Sequence, residues 1–302
     1  MNHLLELDKV YKEYSNLIAV NNISLKVPSS CIFGLLGPNG AGKTSLIRII
    51  TGITKPDKGT VRFHNSYSNT NTSSLIGYMP EERGLYKKMT VGEQLIYLCR
   101  LKGLSKQDSL QSVNYWLDKF EIQSWWNKKV EELSKGMSQK VQFIATVAHK
   151  PKLIILDEPF SGLDPINTNL IKDEIIQLKN DGASILFSTH RMEQVEELCE
   201  EIVLVNKGKN VLSGHVKDIR QSHRENLFII ETIDTISSFE DLDINVVKQE
   251  NHNITIRLKD NQSSNQVLTN FIKSGHQILS FNEVLPTFND IFIKTVNEFS
   301  HE

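Results

Sequence analysis

At 302 residues the chain is long enough for two domains, and its 39% hydrophobic and 8% aromatic content is that of a chain that buries ordinary cores, which excludes wholesale disorder. Its 34 basic and 36 acidic side chains leave a net charge of −2, without the basic footprint that nucleic-acid binding requires. Cys31, Cys99 and Cys199 lie far apart and form no CxxC pair, so neither a disulfide framework nor a zinc site is expected, and a reducing cytosol fits.

The first residues, MNHLLELDKVYKEY, carry charges where a signal peptide needs an apolar stretch. No apolar run approaches the ~18 residues that cross a bilayer, so the chain by itself is expected to be soluble. Leu4 to Leu7, Ile23 to Val27 and Cys31 to Leu36 read as short strands, the last ending in a glycine-rich turn as a buried strand does. Ser45 to Ile50 reads as a helix with Gly52 as its stop. The polar stretch Asn65 to Ser74 reads as an exposed loop.

From about Val91 to His149 the spacing turns helical, as in GEQLIYLCRLKG and LQSVNYWLDKF. Within it, Trp125 and Trp126 read as fillers of a small core rather than as a site, since buried area dominates tryptophan usage. Strand-like runs return at Leu153 to Leu156, Ser184 to Ser188 and Ile202 to Val205, with a helical segment from Asn169 to Asn180. Strands alternating with helices imply an α/β fold whose parallel sheet is covered on both faces. Beyond Gly214, the strand candidates LFIIET, NVVKQE, NITIRL and ILSFNE alternate with helical stretches at Gln266 to Lys273 and Phe288 to Asn297. These predict a domain at 1–214, with a helical part near 85–150, and a small α+β domain at 215–302.

The strongest motif is GPNGAGKT, which fits the phosphate loop G-x-x-x-x-G-K-[ST]. Its residues Gly37, Pro38, Asn39, Gly40, Ala41, Gly42, Lys43 and Thr44, with Ser45 beyond them, are the nucleotide-binding candidates. Glycines let backbone N–H groups close around a phosphate, Lys43 supplies a point charge, and Thr44 offers a hydroxyl to Mg²⁺. The helix that follows aims its positive N-terminus at the same anion. A second motif, LIILDEP, ends an apolar strand in two carboxylates. Asp157 suits a metal-binding role and Glu158 a water-orienting one.

Between the two lies ELSKGMSQKVQ, and here the chain resembles the ATP-binding cassette (ABC) family. LSKGM is similar to the family signature LSGGQ, with Ser134 and Gly136 matching and Lys135 and Met137 departing. Tyr14 in KVYKEYS matches the adenine-stacking aromatic, with Tyr11 as its competitor. Ser161, Gly162, Leu163 and Asp164 follow the carboxylate strand as the family's D-loop does, and His190 in FSTHRME matches the switch histidine. The resemblance spans residues from about 4 to 214.

It implies a P-loop cassette with a mixed β core and a helical subdomain, binding ATP and Mg²⁺. It further implies that Ser134 and Gly136 precede a helix, Gln139 to Ala148, which serves the nucleotide of a second subunit in a homodimer. Lys135 then adds a cation near that phosphate. IGYMP matches the strand that the family follows with glutamine, which puts Glu81 at a residue implied to touch Mg²⁺ and the attacking water. A carboxylate there coordinates a hard cation at least as well as an amide, but adds negative charge that the metal or Arg83 must compensate. The implied partner is an integral membrane permease, placing the chain at the cytoplasmic face of the membrane.

IGYMPEERGLY, LSKGM and STHRMEQVEELC are also similar to one bacterial branch, exporter ATPases of the sodium-extrusion type, which carry a small extra C-terminal domain. The alternative is a soluble ABC protein of translation, repair or cluster assembly. One cassette per chain, no room for a coiled coil before the signature and no zinc-spaced cysteines weigh against it.

Overall fold

The structure, a computed structural model, describes residues 3–64, 72–82, 84–236, 244–259 and 262–300. Two long antiparallel strands open the chain, β1 (His3–Tyr14) and β2 (Leu17–Pro28), where the sequence predicted two shorter ones. The extra residues of β1 are mostly exposed, with Val10 buried among them, and they continue the hairpin as far as Tyr14 opposite Leu17. A fully buried strand, β3 (Ile32–Leu36), leads through the glycine-rich loop to α1 (Lys43–Ile50). Then β4 (Lys58–Phe63) pairs with β1 to complete a three-stranded sheet of order β2-β1-β4.

Most of the predicted loop Asn65 to Ser74 lies outside the described residues. Its last part is not loop, because Thr72–Leu75 forms a helical turn, α2, leading into β5 (Ile76–Met79). The helical region resolves into α3 (Val91–Leu101), α4 (Lys106–Lys119) and α5 (Lys135–Val147). Thr90 caps α3 in a reciprocal pair with Glu93, and Ser105 caps α4 through the Asp108 amide. Trp116, Phe120 and Phe143 meet with ring centroids 5.9–6.2 Å apart and form the apolar centre of this region. Trp125 and Trp126 stay half-buried, Trp126 lying against Gly92 at the start of α3.

The chain continues through β6 (Leu153–Asp157), α6 (Pro165–Asn180), β7 (Ser184–Ser188), α7 (Met192–Leu198), β8 (Glu201–Asn206) and β9 (Lys209–His215). With β3 and β5 these strands make a six-stranded sheet of order β5-β6-β7-β3-β8-β9, parallel except for the β8/β9 pair. Helix α1 buries Leu46, Ile47, Ile49 and Ile50 in one core with Leu5, Val10 and Ile23 of the antiparallel sheet and Leu35, Ile155, Leu186 and Val203 of the mixed sheet.

Residues 1–216 with 296–302 form one compact unit, and 217–295 a second. The second unit contains most of α8 (Val216–Ser222), then β10 (Leu227–Thr232), β11 (Asn245–Glu250), β12 (Asn253–Arg257), α9 (Ser264–Lys273) and β13 (Ile278–Val284), and α10 (Phe288–Ser300) begins in it. Its four strands form an antiparallel sheet of order β11-β12-β10-β13. Phe228, Ile230, Ile254, Ile256, Val267 and Phe271 make a core of its own.

Strand order decides where the functional loops meet. Strands β5, β6, β7 and β3 are consecutive parallel neighbours, so the segments after their C-terminal ends lie side by side. Those segments carry Glu81, Glu158, His190 and the phosphate loop.

Candidate active site

The phosphate loop is shaped by what its glycines touch. A Cβ built on Gly37 would stand 2.2 Å from the Val205 carbonyl oxygen, and one on Gly42 2.1 Å from that of Ala19. Gly42 also holds φ at 107°, a left-handed conformation that other residues rarely adopt. The loop is lashed to its neighbours by Gly208 N–H donating to Ala41 O at 2.9 Å and Asn21 N–H donating to Gly208 O at 2.7 Å. Ala41 N–H closes the turn on Pro38 O at 3.2 Å, while Asn39 and Gly40 stay exposed. Lys43 folds back along the loop, its Nζ donating to Gly37 O at 2.6 Å and to Pro38 O at 3.1 Å. Thr44 and Ser45 follow in the first turn of α1, with the Thr44 side chain exposed.

Glu158 leaves the end of β6 with φ at 50°, a strained value for a residue with a side chain. Three donors fix its carboxylate. His190 gives Oε1 both its backbone N–H, at 2.8 Å, and its ring Nδ1, at 2.7 Å, and Thr189 gives its hydroxyl to Oε2 at 3.3 Å. The ring contact fixes the His190 proton on Nδ1, because a carboxylate only accepts. Thr189 is fully buried and also reaches Gln194 Oε1 at 3.1 Å. The sequence analysis missed both residues; the only signal for Thr189 was a hydroxyl directly before the histidine.

Asp157, Glu158 and Glu81 surround Lys43 closely enough to act on its charge. Burial lowers the Lys43 amine below its usual value, and the three carboxylates oppose that shift. Burial pushes the Asp157 carboxyl up, and Glu81 and Glu158 push it the same way against Lys43. The Tyr78 hydroxyl is pushed up to about 12, chiefly by burial and then by Asp157. Three carboxylates thus share one lysine, and the excess negative charge favours a bound cation. Among the described residues no three His, Cys, Asp or Glu side chains form a self-sufficient metal cage. Arg83, the expected compensating cation, lies outside the described residues.

The signature starts its helix earlier than the sequence analysis placed it. Ser134 is the N-cap of α5, accepting from Met137 N–H at 3.2 Å, so Gly136 sits inside the first turn and does not precede the helix. A serine five residues ahead of the predicted start at Gln139 was the missed start signal. Lys135 lies with its methylenes across Gly162 of the same chain. Asp164 caps α6, accepting from Asn167 N–H at 2.9 Å, and this hydrogen bond holds its carboxyl below the usual range. Pro165 is the first residue of α6, so this helix also begins before the predicted Asn169. Of the two tyrosines, Tyr11 donates its hydroxyl to Glu13 at 3.0 Å and lies under Lys58, whereas Tyr14 is exposed at the end of β1 beneath Lys12.

The protein-family model described as ABC transporter matches residues 20–161, across the phosphate loop and the carboxylate strand. YhaQ of Bacillus subtilis strain 168, an ABC transporter ATP-binding protein, is 43% identical over 294 residues, covering 97% of this chain and 98% of that one. The chain belongs to the ABC transporter ATP-binding proteins. This ABC subunit also matches the model for the C-terminal domain of DrrA1-3-like ATP-binding proteins, over residues 214–296. The linearmycin resistance ATP-binding protein LnrL of Bacillus subtilis is 31% identical over 219 residues, 72% of this chain and 70% of that one. A solved structure of the ATP-binding subunit of an ABC transporter superposes with a TM-score of 0.67 at 29% identity, covering 72% of this chain and 92% of that one. The fold is therefore that of the ABC cassette with an added C-terminal domain, and the family binds ATP. No helix among the described residues of this ABC subunit is long and apolar enough to cross a membrane.

Proposed function

We propose that the chain hydrolyses ATP as a homodimer at the cytoplasmic face of the membrane and drives a separate permease, in the direction of export. The observation that carries hydrolysis is Glu158, whose carboxylate is oriented by His190 and Thr189 beside Lys43. Held this way, Glu158 orients a water for in-line attack on the terminal phosphate and accepts its proton. Lys43 and the N-terminal amides of α1 bind the β- and γ-phosphates, and Tyr14 stacks on adenine. The oxygen donors Thr44, Asp157 and Glu81 suit Mg²⁺, which when bound neutralises charge building on the phosphates. Ser134 and Gly136 at the start of α5 serve the nucleotide held by the second chain, and Asp164 borders that interface.

The domain division is taken as 1–214 for the cassette and 215–302 for the accessory domain. Export rests on the branch resemblance and on a relative named for linearmycin resistance. Glu158→Gln, which keeps shape but cannot take a proton, should lower ATP turnover by about 10²–10⁴-fold while ATP still binds. Turnover at the unmutated rate in that variant would remove Glu158 from the mechanism. Mild-detergent purification from native membranes should recover a multi-span membrane protein in stoichiometric amount; recovery of soluble partners alone would sink the permease reading.

A further inference from the structure

Helix α5 places Lys135, Gln139 and Gln142 at i, i+4 and i+7, along one face. Between them the three meet two loops of the site, Lys135 and Gln139 the one after β6 and Gln142 the one after β5. A Cβ built on Gly162 would lie 2.3, 2.4 and 2.8 Å from Cε, Cδ and Cγ of Lys135, so the lysine stem spans that glycine. Gln139 Nε2 donates to Pro159 O at 2.7 Å, and Gln142 Nε2 donates to Pro80 O at 2.8 Å. Pro159 directly follows Glu158, and Pro80 directly precedes Glu81.

Both glutamines are buried, at 5% and 3% exposure. Among the described residues, the Gln142 Oε1 atom has no hydrogen-bond partner. Burying an amide with an unmatched oxygen is costlier than burying an apolar side chain of the same size. Packing alone therefore does not account for Gln142, whereas restraint of the Pro80 carbonyl does.

We infer that Gln139 and Gln142 are positioning residues, setting the Glu158 and Glu81 carboxylates from a single helix while the Lys135 stem steadies the loop between Glu158 and Asp164. Helix α5 starts at the signature serine, so a shift of that end carries both carboxylates with it. Lys135 acts here through its stem and not through its charge. The catalytic consequence rests on the hydrolysis proposed above; the restraint itself does not.

The test uses hydrogen exchange of the full chain without nucleotide, followed by ATPase kinetics. Gln142→Met keeps length but removes the donor, and should speed exchange at Met79, the buried last residue of β5 just before Pro80, about tenfold while leaving β7 unchanged. Gln139→Met should instead speed exchange at Ser161, whose amide donates to Glu158 O at 3.1 Å. Lys135→Met, which keeps the stem, should leave Ser161 and Leu163 protected, and Lys135→Ala should not. In turnover, Gln142→Met should lower kcat about tenfold with little change in KM, and its effect should not add to that of Glu81→Gln.

Unchanged exchange at Met79 in Gln142→Met, or faster exchange throughout the cassette in either glutamine variant, would overturn the inference. So would fully additive kinetic effects. If the unmutated chain proves to have no ATPase activity, the proposed function falls and the exchange pattern alone decides the positioning role.

Discussion

Glu158 is a residue whose backbone is strained for its task. Its φ of 50° turns the chain sharply at the end of β6, while Glu158 N–H still donates to Ser188 O at 2.9 Å in the neighbouring strand segment. Glu81 stands where the family resemblance expects glutamine, and its charge has a physical consequence at the site. Its carboxylate raises the Asp157 pKa, in the same direction as burial does. A carboxyl raised in the folded state stabilises the fold most at low pH, and that contribution is lost as pH rises through the raised value. At neutral pH, without a cation, the ionised Asp157 carboxylate therefore opposes folding. Glu81→Gln removes one charge from the cluster. The variant should melt at a higher temperature without Mg²⁺, gain less from mild acidification, and require more Mg²⁺ for half-maximal hydrolysis. Thermal unfolding and a Mg²⁺ titration of turnover check this, and unchanged Mg²⁺ dependence would separate Glu81 from the metal.

Among elements, β5 carries a task larger than its length. Four residues bring Pro80 and Glu81 to the site, in parallel register with Leu153 to Leu156 of β6. The strand packs so closely under α5 that a Cβ on Gly77 would stand 2.2 Å from the Thr146 carbonyl oxygen and 3.0 Å from Pro151 Cγ. Backbone on one side and a proline ring on the other leave little room to yield. Gly77→Ala should cost about 1–3 kcal/mol in urea denaturation and reduce hydrolysis by displacing Glu81. Helix starts were the elements least legible in the sequence. Both α5 and α6 follow a capping residue, Ser134 and Asp164, each five residues before the helix start read from the sequence. Polar first turns carry no periodicity, so only the cap announces them.

For the whole molecule, the two compact units have separate apolar cores, one centred on α1 and the other on β10, β12 and α9. Phe271 is fully buried in the second. Phe271→Ala should destabilise that unit by about 3–5 kcal/mol. Calorimetry should show one unfolding transition shifted down and the other in place, with ATP hydrolysis nearly unchanged. A single transition moving as a whole would show that the units unfold together.

The chain's own order of motifs was enough to read the cassette, the phosphate loop, the carboxylate strand and the histidine, because each is a short local pattern whose chemistry requires particular residue types. Composition and strand spacing likewise announced a second α+β segment after Gly214. Folding decided the rest. That Glu81, 77 positions before Glu158, acts on the same lysine follows from strand order, which pairs β5 with β6 and β6 with β7. The grip of Thr189 on Glu158 and of Gln142 on Pro80 joins residues 31 and 62 positions apart. Contacts of that kind leave no periodic mark on a sequence, since they depend on which surfaces the assembled sheet and the packed helix bring into reach.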